Sequence, residues 1–559
     1  MKHSLTIHWP LHTGQISVQY INKKCLTDIM LEQIEELSGD PVTDIAIDTV
    51  KKDKQLIIFV NTKRSAEAVA ERISTKIKNL IKNKEELLNI SQRLKHALSS
   101  PTKQCKRLSK VAKEGVAFHH SGLHSTQREI VEDNFKERNI RVICATPTLA
   151  AGVDLPAFRV IIRDLKRYGG NWGMESIPVL EYEQMSGRAG RPRYDKLGEA
   201  ICISSTTSEK ENIWETYVTG EPEEILSKLA VEPVLRTYVL SLVATNYAGT
   251  IKELKDFMSK TFYAHQYKDI SRLNSIIDKM ITLLEEWEFI ETSKKNSSGF
   301  VSANNFNKPE DYKLRTTKLG ERVAQLYLDP LTAHYLLVSM QKATSKSIND
   351  FSFVQMISWT LEMRPLIRAK QKDLEEVEKR LVLESSNLYS TKPQQYSEEY
   401  DEFLDSIKTA IVFDEWMNET TEDIILEMFQ VRPGELNAKL NRADWLLFSS
   451  YELAKIQGFR NIANHLLKVR IRLLNGVKEE LLPLLKLKGI GRVRARKLFS
   501  NKVKDLGDVK TVDFATLAQI LGKNIALDVK KQVGQNLSEK KVKVKPNKRK
   551  GQISLSDFR

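Results

Sequence analysis

The sequence predicts a multidomain protein in which an α/β domain with a parallel sheet precedes several helical domains. In roughly the first 205 residues, short runs of apolar β-branched residues alternate with helical patterns. That alternation is typical of a parallel sheet covered on both faces. Further along, apolar residues recur almost throughout at helical spacing. The length of 559 residues suits about three to five domains.

The sheet domain is expected over residues 39–205, after a leading segment, 1–38, with only weak strand alternation. Helices are expected at 65–80 and 126–135, and the charged stretch 82–113 as a helical insertion at the sheet's edge. The apolar runs predict strands at residues 56–60, 116–118, 142–145, 160–162 and 200–203.

Four further regions follow the sheet domain. Residues 206–318 suggest a winged helix: three helices across 221–242, 250–257 and 270–287, then a polar segment, 291–311, for a two-stranded wing. Residues 319–477 are helical, with a polar break at 385–397. Residues 478–535 hold two helices around the turn KGIGR, 488–492. Residues 536–559 form a tail expected to be disordered, because seven of the eleven residues 540–550 are basic.

Composition narrows the class of protein. The net charge of +15 favours a polyanionic partner, although a solvated basic surface would give the same number. The four cysteines are far apart, so we expect neither a disulfide framework nor a structural zinc site. No apolar run reaches the length of a membrane helix, and the first residues lack a signal-peptide pattern. We therefore expect a cytoplasmic protein.

The most specific motif is QMSGRAGRP, residues 184–192. Arg188 and Arg191 are three residues apart and would share one face of a helical turn, while Gly187 leaves room for a phosphate. A guanidinium suits a γ-phosphate because it donates in a planar fork and keeps its charge. For two isolated arginines, pairing with local carboxylates would be the better interpretation, but not for this nine-residue string.

A second motif, ATPTLAAGVDLP at residues 145–156, directly follows a predicted strand. Ligands of open α/β sheets bind beyond the carboxyl ends of strands, where Thr146 would lie. Its hydroxyl could hold a backbone phosphate, and Asp154 could accept a hydrogen bond from a ribose. A helix cap and a turn residue are equally good interpretations of these two positions.

Two further strands also end in polar residues. Asn61 and Thr62 lie in FVNTKR, and Ser121 and Gly122 in HHSGL. We expect both segments at the same sheet edge as Thr146. The two histidines lack ligands at metal spacing, so no metal site is predicted.

Together these strings resemble motifs IV, IVa, V and VI of the second RecA-like domain of a superfamily 2 helicase. The chain is most similar to archaeal Hjm-type (HelQ-like) DNA repair helicases of the superkiller-type branch, to about residue 535. The resemblance implies that Gln184, Arg188 and Arg191 face ATP, with Gly152, Asp154 and Gly187 on the nucleotide side. It also implies that DNA runs along the motif residues Asn61, Thr62, Ser121, Gly122 and Thr146.

The family also has a strand-separating β-hairpin between motifs V and VI. Here the glycines at 169, 170 and 173 suit a hairpin turn. Tyr168, Trp172 and Met174 would then form its apolar edge. A plain surface loop with one packed aromatic is the alternative.

The resemblance assigns 319–477 to a ratchet domain whose long helix carries a base-stacking tryptophan. Trp445 occupies the matching position, although a core Trp is the commoner fate on such a helix. The family places a basic residue about two turns earlier, and Lys439 is the best candidate.

The turn at 488–492 resembles a helix–hairpin–helix. Gly489 and Gly491 permit a backbone that points N–H groups at a phosphate. Arg492, Arg494 and Arg496 would add sequence-independent charge, unless the turn is only a tight connection with solvated arginines. In the tail, Gln552, Leu555 and Phe558 weakly resemble a sliding-clamp-binding peptide.

The phosphate loop, G-x-x-x-x-G-K-[ST], does not occur in the sequence, and neither does the Asp-Glu box that holds Mg²⁺. We therefore expect the C-terminal portion of an ATP-dependent 3′-to-5′ DNA helicase for forked or branched DNA in replication-coupled repair. It would use ATP and Mg²⁺ only with a first RecA-like domain supplied elsewhere, and would be inactive alone. A truncated product, a split gene and a domain reused without ATPase activity all remain open. The alternatives are a non-catalytic DNA-binding and clamp-tethering protein, or a fragment of an RNA helicase.

Overall fold

The structure is a computed structural model of the 559-residue chain. It describes residues 2–8, 15–22, 25–98, 101–150, 152–168, 174–190, 198–293, 311–395 and 397–535. For residues up to 33, and for Tyr168 and Glu398, only the backbone is described.

An eight-stranded sheet organises the first 204 residues, and the five predicted strands are confirmed. The strand order is β3-β2-β1-β10-β7-β4-β6-β5. Neighbouring strands in the part β1-β10-β7-β4-β6-β5 are all parallel. The strands are β1 (Lys2–His8), β2 (Gln15–Asn22), β3 (Cys25–Glu35), β4 (Leu56–Phe59), β5 (Val116–His119), β6 (Val142–Ala145), β7 (Arg159–Ile162) and β10 (Gly198–Ser204).

The leading segment differs from expectation, because residues 2–35 add three strands to the sheet. β1 pairs in parallel with β10, and β2 and β3 continue outward as an antiparallel ladder. Without β1, β10 would present a row of unpaired N–H and C=O groups at the edge. The leading segment, despite its weak strand alternation, is therefore part of the sheet.

Seven helices accompany this sheet in the described part of the chain. They are α1 (Pro41–Lys51), α2 (Lys63–Ile77), α3 (Lys84–Lys95), α4 (Lys103–Ala112), α5 (Ser125–Lys136), α6 (Val179–Ser186) and α7 (Thr207–Ile213). The insertion expected at 82–113 is two helices, and both bury an apolar face in the core of the sheet domain. α4 begins immediately after Thr102, whose side chain caps it by accepting from the N–H of Cys105.

The region after residue 205 is mainly helical, as predicted. The helices up to residue 417 are α8 (Glu232–Ala244), α9 (Ile251–Met258), α10 (Phe262–Tyr267), α11 (Ile270–Glu286), α12 (Lys318–Gln325), α13 (Pro330–Ala343), α14 (Asp350–Ser358), α15 (Leu374–Glu384) and α16 (Glu398–Met417). They are followed by α17 (Glu422–Phe429), α18 (Pro433–Ile456), α19 (Arg460–Asn475), α20 (Arg492–Ser500), α21 (Leu506–Thr511), α22 (Phe514–Leu521) and α23 (Lys523–Gln532).

The first predicted helix of this region starts eleven residues late, at Glu232 rather than at residue 221. Pro233 occupies the first turn of α8, a position that proline favours. Residues 221–228 have no regular secondary structure, and the Glu223 carboxylate caps α6 by accepting from the N–H groups of Val179 and Leu180 at 2.6 and 3.2 Å.

Two short strands, β11 (Ile290–Thr292) and β12 (Leu314–Thr316), pair antiparallel where the wing was expected. Most of the polar segment between them, 294–310, lies outside the described residues, as does the tail beyond 535. The winged-helix, ratchet and helix–hairpin–helix assignments, with their boundaries, stay predictions.

The chain forms two compact units. The first unit contains residues 1–225 together with 422–437, and the second contains 226–421 and 438–559. The sheet domain therefore includes α17 and the first turn of α18, which the sequence had assigned to the helical region.

Candidate nucleotide and nucleic-acid site

Three of the predicted motifs begin where adjacent strands of the first unit end. β4, β6 and β5 are neighbours, and their hydrogen bonding continues past the strand ends. Val60 N–H donates to the Ala145 carbonyl at 2.9 Å, and Thr146 N–H donates to the His119 carbonyl at 3.2 Å. Asn61, Ser121 and Thr146 therefore follow three adjacent strands at one sheet edge, as predicted.

Asn61 is tied to the neighbouring loop. Its N–H donates to the Asp164 carboxylate at 2.9 Å, and its side-chain amide donates to the Lys166 carbonyl at 3.0 Å. Thr62 is exposed, but its hydroxyl caps α2 by accepting from the Ser65 N–H at 3.0 Å. Both residues therefore have local structural roles in addition to any contact with DNA.

The motif after β6 turns sharply. Residues Pro147–Leu149 form a single 3₁₀ turn, and the hydroxyls of Thr146 and Thr148 lie 2.9 Å apart. Thr146 is buried, whereas Asp154 is exposed. Gly152 is exposed and has φ +83°, a backbone conformation that favours glycine. This loop presents Asp154 to solvent, as a ribose contact would require.

The QMSGRAGRP motif lies directly against that loop. Gln184 is exposed on α6, and Gly187 caps the helix. Arg188 is half-buried and donates through Nε to the Ala150 carbonyl at 3.0 Å, with a second contact from Nη2 to the same oxygen. Within the described residues Arg188 forms no ion pair with a carboxylate. The alternative interpretation, in which this arginine pairs with local carboxylates, is therefore not supported. Arg191 lies outside the described residues.

Backbone contacts fasten the two motifs together. Ala157 N–H donates to the Arg188 carbonyl at 2.9 Å, and Gly190 N–H donates to the Ala157 carbonyl at 2.6 Å. A Cβ on Gly198, at the start of β10, would lie only 2.3 Å from the Gly190 nitrogen. Glycine is thus required at both positions, where Gly190 of the motif meets the first residue of β10.

A β-hairpin separates the two motifs, as the resemblance implied. β8 (Lys166–Tyr168) and β9 (Met174–Ser176) pair antiparallel, with Tyr168 opposite Met174. The Met174 side chain is 59% exposed. The Tyr168 side chain and Trp172 lie outside the described residues, so the apolar edge is tested only at Met174.

The base of this hairpin is well anchored. Arg167 forms an ion pair with Glu181 at 2.7 Å. The Tyr217 hydroxyl donates to the carbonyls of Leu165 and Ile177 at 3.3 and 3.0 Å. A polar cleft of about 640 Å³ opens beside it. Its lining includes Asn61, Arg163, Asp164, Lys166, Ser208 and Asn212.

Gly122 is less available than its motif suggested. It is buried, its N–H donates to His120 Nδ1 at 3.2 Å, and its carbonyl accepts from the Gly434 N–H at 3.0 Å. Ser121 is exposed, and its hydroxyl has no partner among the described residues. Of the two, Ser121 is the residue placed to touch a ligand.

Sequence reasoning missed a polar cluster next to this loop, in which buried Glu67 and His120 meet the partly exposed Arg107 and Arg432. Glu67 looked like an ordinary residue of an amphipathic helix. The only available signal was a glutamate at a position that falls on the apolar face of α2.

In the second unit, Lys439 and Trp445 both have internal partners. The Lys439 ammonium donates to the carbonyls of Met363 and Pro365. Trp445 is half-buried, and its indole N–H donates to the Leu326 carbonyl at 3.1 Å. The tryptophan is anchored at its nitrogen without being enclosed, and the Lys439 ammonium is held by backbone carbonyls.

The turn at 488–492, predicted to belong to a helix–hairpin–helix, has the backbone conformation that its glycines suggested. Gly489 has φ +83°, Gly491 caps α20, and both have open space where a Cβ would be. Arg494 is exposed and donates to the Gly489 carbonyl at 2.8 Å.

The other two arginines of this turn have internal partners. Arg492 lies over the Trp416 ring at 4.5 Å and donates to the Thr420 carbonyl. Arg496 pairs with Glu419 and Glu480, which raises its pKa through hydrogen bonding to those carboxylates. Of the three, Arg494 alone is exposed, and its contact is with the carbonyl of Gly489.

The residues at the motif edge fit one part of a nucleotide site. Arg188, which has no carboxylate partner in the part of the chain that the structure describes, suits phosphate oxygens, and the exposed Gln184 and Asp154 suit phosphate and ribose oxygens. The described residues contain no group of three or more His, Cys, Asp or Glu arranged for a metal. Nor does any described helix have the length and apolar character to cross a membrane.

Comparison with known proteins agrees with this geometry. Residues 40–193 match the helicase conserved C-terminal domain, and residues 351–476 match domain 4 of archaeal helicases. The ATP-dependent DNA helicase Hel308 of Pyrococcus horikoshii is 38% identical over 512 residues, covering 90% of this chain and 67% of that protein. The Pyrococcus abyssi protein of the same name is 38% identical over 517 residues, covering 91% and 67%. That of Methanocella arvoryzae is 35% identical over 512 residues, covering 90% and 66%. On this similarity, the chain belongs to the Hel308 family of archaeal DNA helicases.

Proposed function

We propose that this chain supplies the second RecA-like half of the ATP site, and the DNA-gripping surface, of an ATP-dependent DNA helicase. Arg188 carries the proposal, because its guanidinium is fixed by the Ala150 carbonyl and has no carboxylate partner among the described residues. A guanidinium that is fixed in place but not neutralised can bind an anionic ligand without reorganising.

In this function the chain's own residues have three tasks. Arg188, with Arg191, stabilises charge on a γ-phosphate across the cleft. Gln184 and Asp154 orient the nucleotide, with Gly152 and Gly187 leaving room beside it. ATP hydrolysis supplies the free energy, and Mg²⁺ and the phosphate loop belong to a first RecA-like domain, whose motifs the 559 residues do not contain.

The nucleic acid is proposed to follow the strand ends at Asn61, Thr62, Ser121 and Thr146. Tyr168, Trp172 and Met174 separate the strands, and Trp445 stacks on a base. Arg494 contributes phosphate contact at the helix–hairpin–helix turn, with Gly489 and Gly491 shaping the backbone and Arg492 and Arg496 holding it in place. We propose 3′-to-5′ movement on forked or branched DNA during repair.

The test is a DNA-stimulated ATPase assay of the purified chain, with and without a first RecA-like domain added as a separate protein. The chain alone should match a blank, and the mixture should hydrolyse ATP. Arg188→Ala should lower turnover in the mixture by about 10³-fold or more, the magnitude known for such arginines. Arg93→Ala, which removes an exposed arginine on α3, is the matched control and should have no effect.

Two results would redirect the proposal. If the mixture binds forked DNA but never hydrolyses ATP, the chain is a non-catalytic DNA-binding protein, and the peptide with Gln552, Leu555 and Phe558 becomes the candidate clamp tether. If RNA stimulates turnover and DNA does not, the substrate class is wrong. Unwinding of forks with either a 3′ or a 5′ tail checks the direction.

A further inference from the structure

Residues 422–437, called the docked segment below, are hydrogen-bonded to the loop that follows β5. Gly434 N–H donates to the Gly122 carbonyl at 3.0 Å, and a Cβ on Gly434 would lie 2.3 Å from the Leu123 carbonyl oxygen. On the other side, a Cβ on Gly122 would lie 2.4 Å from Arg432 Cδ. At Gly434 the obstacle is backbone, so that position requires glycine, whereas at Gly122 the obstacle is the Arg432 side chain packed over it. The loop at 121–123 is thus shaped by a segment some three hundred residues away in sequence.

Glu67, on α2, lies behind this contact and is only 3% exposed. Its Oε1 accepts from Gln104 Nε2 at 3.1 Å and from Arg432 Nε at 3.4 Å, and its Oε2 pairs with Arg107. Burial alone would raise the pKa of Glu67, but the neighbouring His120 and the charges of Arg432 and Arg107 lower it to about 2. The carboxylate is therefore ionised and shared by the loop, α4 and the docked segment.

His120 connects Glu67 to the loop backbone. Its ring is fully buried, lies parallel to Phe118 at 5.5 Å, and places Nε2 3.2 Å from Glu67 Oε1. The two atoms are close, but their geometry does not meet that of a hydrogen bond. Burial lowers the pKa of His120, so the ring is neutral at neutral pH. Because Nδ1 accepts the Gly122 N–H, the ring proton belongs on Nε2, beside the carboxylate.

Glu67 thus acts on both sides of the loop. Through His120 it favours the tautomer that accepts the Gly122 N–H, and through Arg432 it holds the side chain that packs over Gly122. Both polar backbone groups of Gly122 are used internally, and Ser121 is left exposed at the sheet edge.

We propose that Glu67 is a positioning residue for DNA binding, because its contacts with His120 and Arg432 hold the 121–123 loop in the shape that presents Ser121 to a phosphate. This inference rests on the proposed function, since it names how one DNA contact of that site is held. Glu67 itself does not reach the nucleic acid.

The sign of a charge-removing substitution separates positioning from simple electrostatics. Removing a negative charge near a DNA surface should tighten binding, because it strengthens the attraction for phosphates. The positioning role predicts the opposite for Glu67→Gln: single-stranded DNA affinity about threefold to tenfold weaker, the equivalent of one lost hydrogen bond.

Glu427→Gln is the matched control. Glu427 lies on the same docked segment and pairs with Lys103, and both side chains are more than half exposed. Its substitution removes the same charge without touching the 121–123 loop, so affinity should stay equal or rise slightly. A folded Glu67→Gln protein that binds DNA as tightly as Glu427→Gln, or more tightly, overturns the proposal.

Hydrogen exchange without DNA provides a second measurement. In Glu67→Gln, the peptide that spans residues 119–123 should exchange faster than in the wild type, and in Glu427→Gln it should not. If Glu67→Gln does not fold, Arg432→Met keeps the packing over Gly122 but loses the Nε contact, and the same peptide should again exchange faster. Unchanged exchange in the folded variants refutes the positioning role. Wild-type protein that fails to bind DNA instead refutes the proposed function, while exchange still decides the role of Glu67.

Discussion

Trp445 offers the sharpest test of the proposed DNA-binding surface, because its two possible roles belong to two different parts of the side chain. The indole N–H is engaged with the Leu326 carbonyl at 3.1 Å, whereas the ring is only half-buried. Trp445→Phe removes the hydrogen bond and keeps an aromatic face, and Trp445→Ala removes both.

The expected magnitudes follow from these contacts. Loss of the hydrogen bond in Trp445→Phe should lower the free energy of unfolding by about 1 kcal/mol and leave single-stranded DNA affinity within about threefold. Trp445→Ala should lose an additional stacking contact of ~1–3 kcal/mol, which weakens binding roughly 5- to 150-fold.

Fluorescence anisotropy with a labelled oligonucleotide at fixed ionic strength measures affinity, and thermal unfolding measures stability in parallel. Trp287→Ala is the control, because Trp287 is also half-buried but stacks on His334 at 5.3 Å. That variant should lose stability and keep its DNA affinity. If folded Trp445→Ala binds DNA like the wild type, the stacking role is refuted. If Trp445→Ala unfolds while Trp445→Phe behaves normally, Trp445 is a core residue.

Three other predictions concern Arg494, Glu67 and Gly198. Arg494→Ala should weaken DNA binding and reduce the slope of log affinity against log salt concentration by about 1. Arg496→Ala should chiefly lower the melting temperature, because it leaves the Glu419 carboxylate without its arginine partner. Equal salt slopes in the two variants would contradict this. Since the pKa of Glu67 falls from 4.5 unfolded to about 2 folded, its stabilisation is present above pH 4.5 and lost as the pH falls toward 2. Acid unfolding of Glu67→Gln should therefore be less steep in that range, and parallel curves would count against it. Gly198→Ala should destabilise the protein strongly, because the new Cβ meets the backbone of Gly190, and a melting temperature like that of the wild type would show that the motif moves freely.

The strands β4, β5, β6, β7 and β10 were predictable because they are apolar on both faces. Runs such as residues 56–60 and 142–145 have few other stable placements than a covered parallel strand, and the structure has them side by side. Because parallel strands have their carboxyl ends at the same edge, it followed that polar residues after these strands would meet there. That is why Asn61, Ser121 and Thr146 lie where the sequence indicated.

Contacts between distant segments were not predictable from local pattern. Periodicity identifies α17 and α18 as helices but does not say what they pack against, so the return of residues 422–437 to the sheet domain was missed. For the same reason, the sequence could not distinguish exposed Arg494 from Arg496, which has two carboxylate partners.

The discontinuous first unit has a consequence for biosynthesis and for dissection of the protein. A ribosome must add about two hundred residues after Ile225 before the final piece of this unit emerges, so its loop-closing interactions form late. A fragment ended at residue 225 would leave Glu67, a buried carboxylate, without one of its cations. Fragments that append residues 422–437 through a short flexible linker should resist proteases better than fragments without them.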